Sequence, residues 1–267
     1  QTSIEYINET INQDTDIPEV VFIVPYRDRK EQLDNYREKM KQLLSNVTYK
    51  YKIAIMHQND ERPFNRGAIK NIGFIYIKHT YPDNYKNITI VFQDIDTIPI
   101  NASIIPEYRT KKGTIKHFYG YHFALGGIIS INAEDFETLN GFPNYWGWGF
   151  EDNLLKKRAE KYQIEIDRSV FYPIGNKNIY HNVENPIRKI NMVEFRRYTN
   201  NIPEGINSIT KLQSTYNRYT DMFDIHSFDT NFYHNPSYDT DFDTSKGNIP
   251  YKTGYSSKKR ATMNIVL

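Results

Sequence analysis

The chain has 267 residues, 39% hydrophobic and 25% charged, with a formal net charge of +2 and no cysteine. That is the make-up of an ordinary globular chain of one or two domains, and the near-balance of charge supplies neither a nucleic-acid face nor a polybasic membrane patch. No disulfide can form, which favours a cytoplasmic location, and no apolar run approaches the roughly 18 residues of a membrane span; because the chain starts at Gln1 rather than Met, a removed anchor and a Golgi-lumenal setting stay open.

Residues 1–18 are polar, end at Pro18 and read as a lead-in arm. Val20 to Val24 is a short apolar run stopped by Pro25, the pattern of a buried parallel strand. Residues 30–44 place Leu33, Tyr36, Met40, Leu43 and Leu44 at helical spacing; Ile53–Met56 predicts a second strand, 65–78 a second helix, and Ile88–Phe92 a third strand. Strand and helix alternating over the first 96 residues predict an α/β fold, a mostly parallel twisted sheet flanked by helices. Ligands of such sheets bind beyond the carboxyl ends of the strands. Pro25-Tyr26-Arg27-Asp28-Arg29 and Asp94-Ile95-Asp96 both follow a strand, so they are expected on that edge.

The second half is less regular. A strand is expected at 128–131, helices at 133–139, 151–162 and 187–199, and strands with turns over 164–181. Residues 214–250 are rich in Tyr, Phe, Asp and Asn without clean periodicity and read as a long surface loop, an acceptor-shaping arm or a dimer contact. The end, 251–267, closes on a short apolar run read as a C-terminal strand. One compact domain over 19–267 is expected, with a nucleotide-binding half at 19–100 and a second half at 101–213.

Asp94-Ile95-Asp96 offers two hard carboxylates at a strand end, suited to a divalent cation beside a diphosphate. The spacing alone is common: Asp239, Asp241 and Asp243 repeat it, without the glycine and terminal acid of a calcium-binding loop. Trp146-Gly147-Trp148-Gly149-Phe150-Glu151-Asp152 is more specific. It holds both tryptophans of the chain, with glycines that free an indole for a sugar face, and two carboxylates at a helix start. A core tryptophan pair followed by acidic residues at a helix N-terminus satisfies the same pattern.

Taken together, these segments resemble the β-1,4-galactosyltransferase family, glycosyltransferase family 7, over residues 20–212. Tyr145-Trp146-Gly147-Trp148-Gly149 with Glu151-Asp152 is similar to the family signature. Phe22 to Arg29, Phe64-Asn65-Arg66, Phe92 to Pro99, Gly126-Gly127, Asn140-Gly141-Phe142-Pro143 and Glu204 to Ser208 match in order. The terminal residues 264–267 resemble the end strand of the xylose-acceptor branch.

The resemblance implies a single-domain GT-A fold and an inverting transfer of a hexose or N-acetylhexosamine from a UDP-sugar to a saccharide or glycoconjugate acceptor. It puts Pro25, Arg27, Arg29, Phe64, Arg66, Asp94, Ile95, Ala124, Gly127 and Trp148 on the donor. Trp148, Gly149, Phe150, Glu151 and Asp152 fall on the acceptor, with Asp152 as catalytic base. Asp96 and His181 fall on metal ligands, and carboxylate plus imidazole suits Mn²⁺, with Mg²⁺ weaker. Of the positions of the family's further ligand, Asn178 can offer a carbonyl oxygen and Ile179 cannot ligate. Ala124 stands where the family commonly has Tyr, which implies room for a 2-acetamido group on the donor. A non-catalytic sugar-binding module and a nucleotide-sugar hydrolase are the competing readings.

Overall fold

The computed structural model describes residues 16–181, 186–199 and 203–246. The first half alternates as expected: β1 (Val20–Tyr26), α1 (Lys30–Leu43), β2 (Tyr51–Gln58), α2 (Arg66–Thr80) and β3 (Thr89–Gln93). Then come β4 (Thr97–Pro99), β5 (Thr114–Gly120), β6 (Ile128–Asn132), α3 (Ala133–Thr138), α4 (Glu151–Lys161), β7 (Glu165–Asp167), β8 (Tyr172–Pro173) and β9 (Ile179–His181). The rest comprises β10 (Ile187–Asn191), α5 (Met192–Thr199), β11 (Thr210–Asn217), β12 (Met222–Asp229) and β13 (Asp239–Asp243).

The main sheet runs β11-β12-β2-β1-β3-β6-β5-β7, with β8 also on β5. Its centre is parallel, β12, β2, β1 and β3 in one direction, while β6 is antiparallel to both β3 and β5. β1 shows why the sheet has two buried faces. Val21 and Ile23 pack in the cluster that contains Ile69 and Ile72 of α2, while Val20, Phe22 and Val24 pack with Tyr36 and Met40 of α1. Each fully buried side chain of this kind contributes roughly 1.5–3 kcal/mol. Two small ribbons, β4-β9 and β10-β13, lie off the main sheet. Among the described residues no helix is long and apolar enough to cross a membrane.

Three expectations need correction or lie out of view. Of residues 214–250, the described part to 246 is not a long loop: half of β11 and all of β12 and β13 fall there, and β12 extends the main sheet beside β2. Met222, Phe223, Ile225 and Phe228 are buried, and the polar residues between them hide the alternation. The helix expected over 187–199 starts only at Met192, because Asn191 caps it, its Oδ1 accepting from the amides of Val193 and Glu194 at 3.0 and 3.1 Å. The five residues before it form β10, paired antiparallel with β13. Most of the N-terminal arm and the expected strand at 251–267 lie outside the described residues.

Candidate active site

β1, β2 and β3 all end on one edge, and the N-termini of α1 and α2 start there. Asn65 caps α2 through its side chain, which accepts from Ala68 N. Arg66, the first residue of the helix, then points across the β3 end. Its Nη2 donates to both oxygens of Asp94 at 2.6 and 2.7 Å, and its Nη1 lies 2.9 Å from Glu151. Burial lowers the arginine pKa, but the two carboxylates outweigh it and hold Arg66 above its ordinary value. Asp94 is held below its usual range, burial notwithstanding, by Arg66 and then Lys70.

Asp96 lies on the same turn. Its Oδ2 accepts from Arg29 Nη1 at 2.9 Å, and its Oδ1 is 4.0 Å from Nε2 of His181, delivered by β9, which pairs with β4. Burial and the neighbouring Asp94 push the Asp96 pKa up. Tyr119 OH lies 3.1 Å from Nδ1 of His181 and leaves Nε2 facing the carboxylate. A carboxylate made uncomfortable by burial and by a like charge, beside an oriented imidazole, fits a divalent cation of borderline hardness. Among the described residues no group of three or more His, Cys, Asp or Glu gathers at one point; Asp96 and His181 stand as a pair. The Asn178 carbonyl oxygen accepts from the Ile100 amide at 3.0 Å, and Ile179 is buried in the core.

The Trp-Gly loop divides its two indoles. Trp146 is core: 1% exposed, stacked on Phe228 at 5.5 Å, with Arg62 over its ring at 4.6 Å. Trp148 is partly exposed, tied by its amide to Lys189 O at 2.6 Å, and its ring lies nearly parallel to Phe242 of β13 at 6.5 Å. Gly149 and Phe150 both take positive φ, +103° and 72°. For Phe150 that left-handed backbone is strained, and it is held by the Phe195 ring at 4.8 Å.

α4 opens directly from this turn, which sets Glu151 and Asp152 at its N-terminus. Glu151 is 5% exposed and faces Arg66. Asp152 is partly open to solvent: its Oδ1 accepts from Lys70 Nζ at 3.1 Å, and its side chain is 19% exposed. Burial pushes the Asp152 carboxyl up to about 6, Lys70 working against it and Glu151 with it. The backbone of 125–127 closes the floor. Leu125 N donates to Asp152 O, Gly127 O accepts from Asp94 N, and a Cβ at Gly126 would overlap Oδ2 of Asp152.

The remaining expected residues are spread around this centre. Pro25 is buried at the end of β1, Ile95 is 5% exposed and packs under the turn, Phe64 is half-buried against the core, and Ala124 is 6% exposed. Arg27 donates to the carbonyls of Asp60 and Arg62 and pairs with the carboxylates of Asp28 and Asp60. Sequence reasoning missed Lys70, Tyr119 and Arg188. Arg188, on β10, is held below the ordinary arginine pKa by burial and then by Arg29, and also feels Asp96 and Asp94. Lys70 had one visible signal, a lone cation in an apolar stretch, four residues after Arg66 and so on the same helix face.

Comparison with known proteins bears on this geometry. A family model described as the N-terminal region of glycosyl transferase group 7 matches residues 13–108, and one described as the N-terminal domain of galactosyltransferase matches 112–183. Among curated relatives, the xylosylprotein 4-beta-galactosyltransferase of Caenorhabditis elegans is 31% identical over 176 residues, 62% of this chain and 59% of that protein. Beta-1,4-galactosyltransferase 1 of Bos taurus is 27% identical over 215 residues, 75% of this chain and 52% of that protein. The chain thus spans about half the length of the curated relatives it matches. Of solved structures, the catalytic domain of Drosophila beta1,4-galactosyltransferase 7 in complex with xylobiose superposes with a TM-score of 0.62 at 20% identity, over 81% of this chain and 95% of that one. The fold is therefore that GT-A fold, and, with the two family models together covering more than half of its residues, the chain belongs to glycosyltransferase group 7, the β-1,4-galactosyltransferase family.

Proposed function

We propose that the chain is an inverting, metal-dependent glycosyltransferase that moves a hexose or N-acetylhexosamine from a UDP-sugar to a saccharide hydroxyl, forming a β-linkage. The observation that carries this is Asp152. It is a partly exposed carboxylate, with a pKa pushed up to about 6, beside the Arg66–Asp94–Glu151 cluster, and Asp94 shares its turn with Asp96, the partner of His181. A base of that strength is ionised at neutral pH and still basic enough to take a hydroxyl proton.

The relatives support the same chemistry. A second Drosophila structure, that of a beta1,4-galactosyltransferase 7 mutant at 20% identity and a TM-score of 0.60, is described as a complex with manganese, UDP-Gal and xylobiose. For this chain, Asp96 and His181 would hold Mn²⁺, with Mg²⁺ a weaker substitute and Asn178 the further candidate ligand. A divalent cation bound there supplies positive charge to the donor diphosphate. Arg29, Arg66 and Arg188 lie on the same side and would share that charge, guanidinium forks being suited to phosphate oxygens.

In the reaction, Oδ2 of Asp152 takes the proton of the acceptor hydroxyl. The acceptor oxygen forms a bond to the anomeric carbon from the face opposite UDP, and the sugar–phosphate C–O bond breaks with its electron pair going to UDP. Glu151 orients sugar hydroxyls, and Trp148 offers an apolar face. Ala124 leaves the donor pocket without a phenol ring, which favours use of UDP-N-acetylhexosamines beside UDP-galactose.

The test is a panel of UDP-sugars with Mn²⁺, with and without saccharide acceptors. Acceptor-dependent UDP release with disaccharide formation is expected. Release of free sugar irrespective of acceptor would make the chain a hydrolase, and absence of release with retained sugar binding would make it a binding module.

A further inference from the structure

We propose that Lys70 is a positioning residue for the base: its ammonium pins Oδ1 of Asp152, so that Oδ2 alone, lying over Gly126, is presented to the acceptor hydroxyl. The proposal rests on the assignment of Asp152 as base.

Lys70 sits in the middle of α2, between Ile69 and Asn71, and its side chain is 2% exposed. Taking an ammonium out of water costs several kcal/mol unless it is closely paired. Its partners are Asp152, at 3.1 Å, and the face of Phe142, whose ring centroid lies 4.4 Å from Nζ. The buried side chains around it on the helix, Ile69 and Ile72, pack in the apolar core. Burial and packing would thus be served as well by leucine or methionine. What the lysine adds is a fixed positive charge against one oxygen of the carboxylate.

The geometry divides the two oxygens of Asp152. Oδ1 accepts from Lys70. Oδ2 occupies the space that a Cβ on residue 126 would take, so glycine at that position is what leaves room for this second oxygen. The charged groups that face Asp152 are Lys70 and Arg66 of α2, Glu151 of its own helix, and Asp94 from the turn after β3. Arg66 is already bonded to Asp94 and Glu151, which leaves Lys70 as the cation in direct contact with the base. Throughout the transfer Lys70 stays an ammonium. The proton moves from the acceptor hydroxyl to Oδ2 and no bond to Nζ changes.

Removing the charge should therefore act on the ionisation of the base rather than on donor binding. With Lys70→Met and Lys70→Gln, the acidic limb of kcat/KM moves to higher pH by at least about one unit. Activity at pH 6 falls about five-fold or more and recovers at alkaline pH, while the KM for the UDP-sugar stays within about three-fold. Lys70→Arg keeps the limb in place. A neutral variant that folds but keeps the wild-type profile, or loses activity equally at every pH, overturns the proposal. If neither neutral variant folds, Lys70→Arg decides, and a shift of its limb by about a unit or more overturns the proposal. Loss of transfer in the wild type itself, or an active Asp152→Asn, would instead sink the functional reading on which the proposal rests.

Discussion

Under the proposed function Asp152 is the base, and its raised carboxyl gives that role a pH signature. Replacing it by Asn keeps the shape, removes the base, and should cut kcat by about 10²–10⁴-fold while UDP-sugar binding by calorimetry persists. Because burial raises its carboxyl to about 6, and the reaction needs the ionised form, kcat/KM should rise with pH through about 6 and level off above it. A pH–rate profile flat from pH 5 to 8 would contradict the assignment. Asp94, Asp96, Arg66 and the Glu151-Asp152 pair were legible in the sequence because each stands in a contiguous segment whose local setting, a strand end or a helix start, fixes its direction. Lys70, Tyr119 and Arg188 were not. Their roles exist only through partners 82 residues away for Lys70, 62 for Tyr119, and, for Arg188, through charges on other elements.

The elements around the site are joined by buried polar groups as well as by apolar packing. Asn144, fully buried, accepts from Asn71 Nδ2 at 2.8 Å and donates to Gly205 O at 2.7 Å. Asn65 Nδ2 reaches Asn144 O at 3.1 Å and Asn71 Nδ2 also reaches Phe142 O at 2.8 Å, so α2, the loop before the Trp-Gly segment and the turn before β11 are held as one unit. Asn144→Ala strands Asn71 and Gly205, each costing about 1–3 kcal/mol. A loss of at least about 2 kcal/mol in urea unfolding is expected; a change near zero would show that these bonds do not couple the elements. The sequence showed the Asn-Gly-Phe-Pro and Glu-Gly-Ile-Asn-Ser segments as matches but not that they meet. It also misread 214–250, because two of the aspartates there are partly buried partners rather than solvated charges: Asp239 accepts from Asn191 and faces His234, and Asp224 faces His57.

For the whole molecule, binding should report on stability. A ligand that binds only the folded state at about 100 times its Kd adds roughly 2.7 kcal/mol, which for a domain of this size is about 5–10 °C in Tm. Mn²⁺ with UDP should give a rise of that order, and Asp96→Ala or His181→Ala should remove the part that depends on metal; an undiminished rise in both variants would take these residues out of the ligand set. Side-chain contacts join the Asp94–Asp96 turn to the α4 N-terminus through Arg66 and bring the β9 end beside it, and the proposed function has donor and acceptor meet there in line. The most direct measurement of that arrangement is the stereochemistry of the product. Wild-type protein with an α-linked UDP-sugar, Mn²⁺ and a saccharide acceptor should yield one UDP per β-linked disaccharide, read by NMR of the new anomeric centre, and Asp152→Asn should yield neither. An α-linked product, or β-linked product formed by Asp152→Asn within a few-fold of the wild-type rate, would contradict in-line transfer with Asp152 as its base.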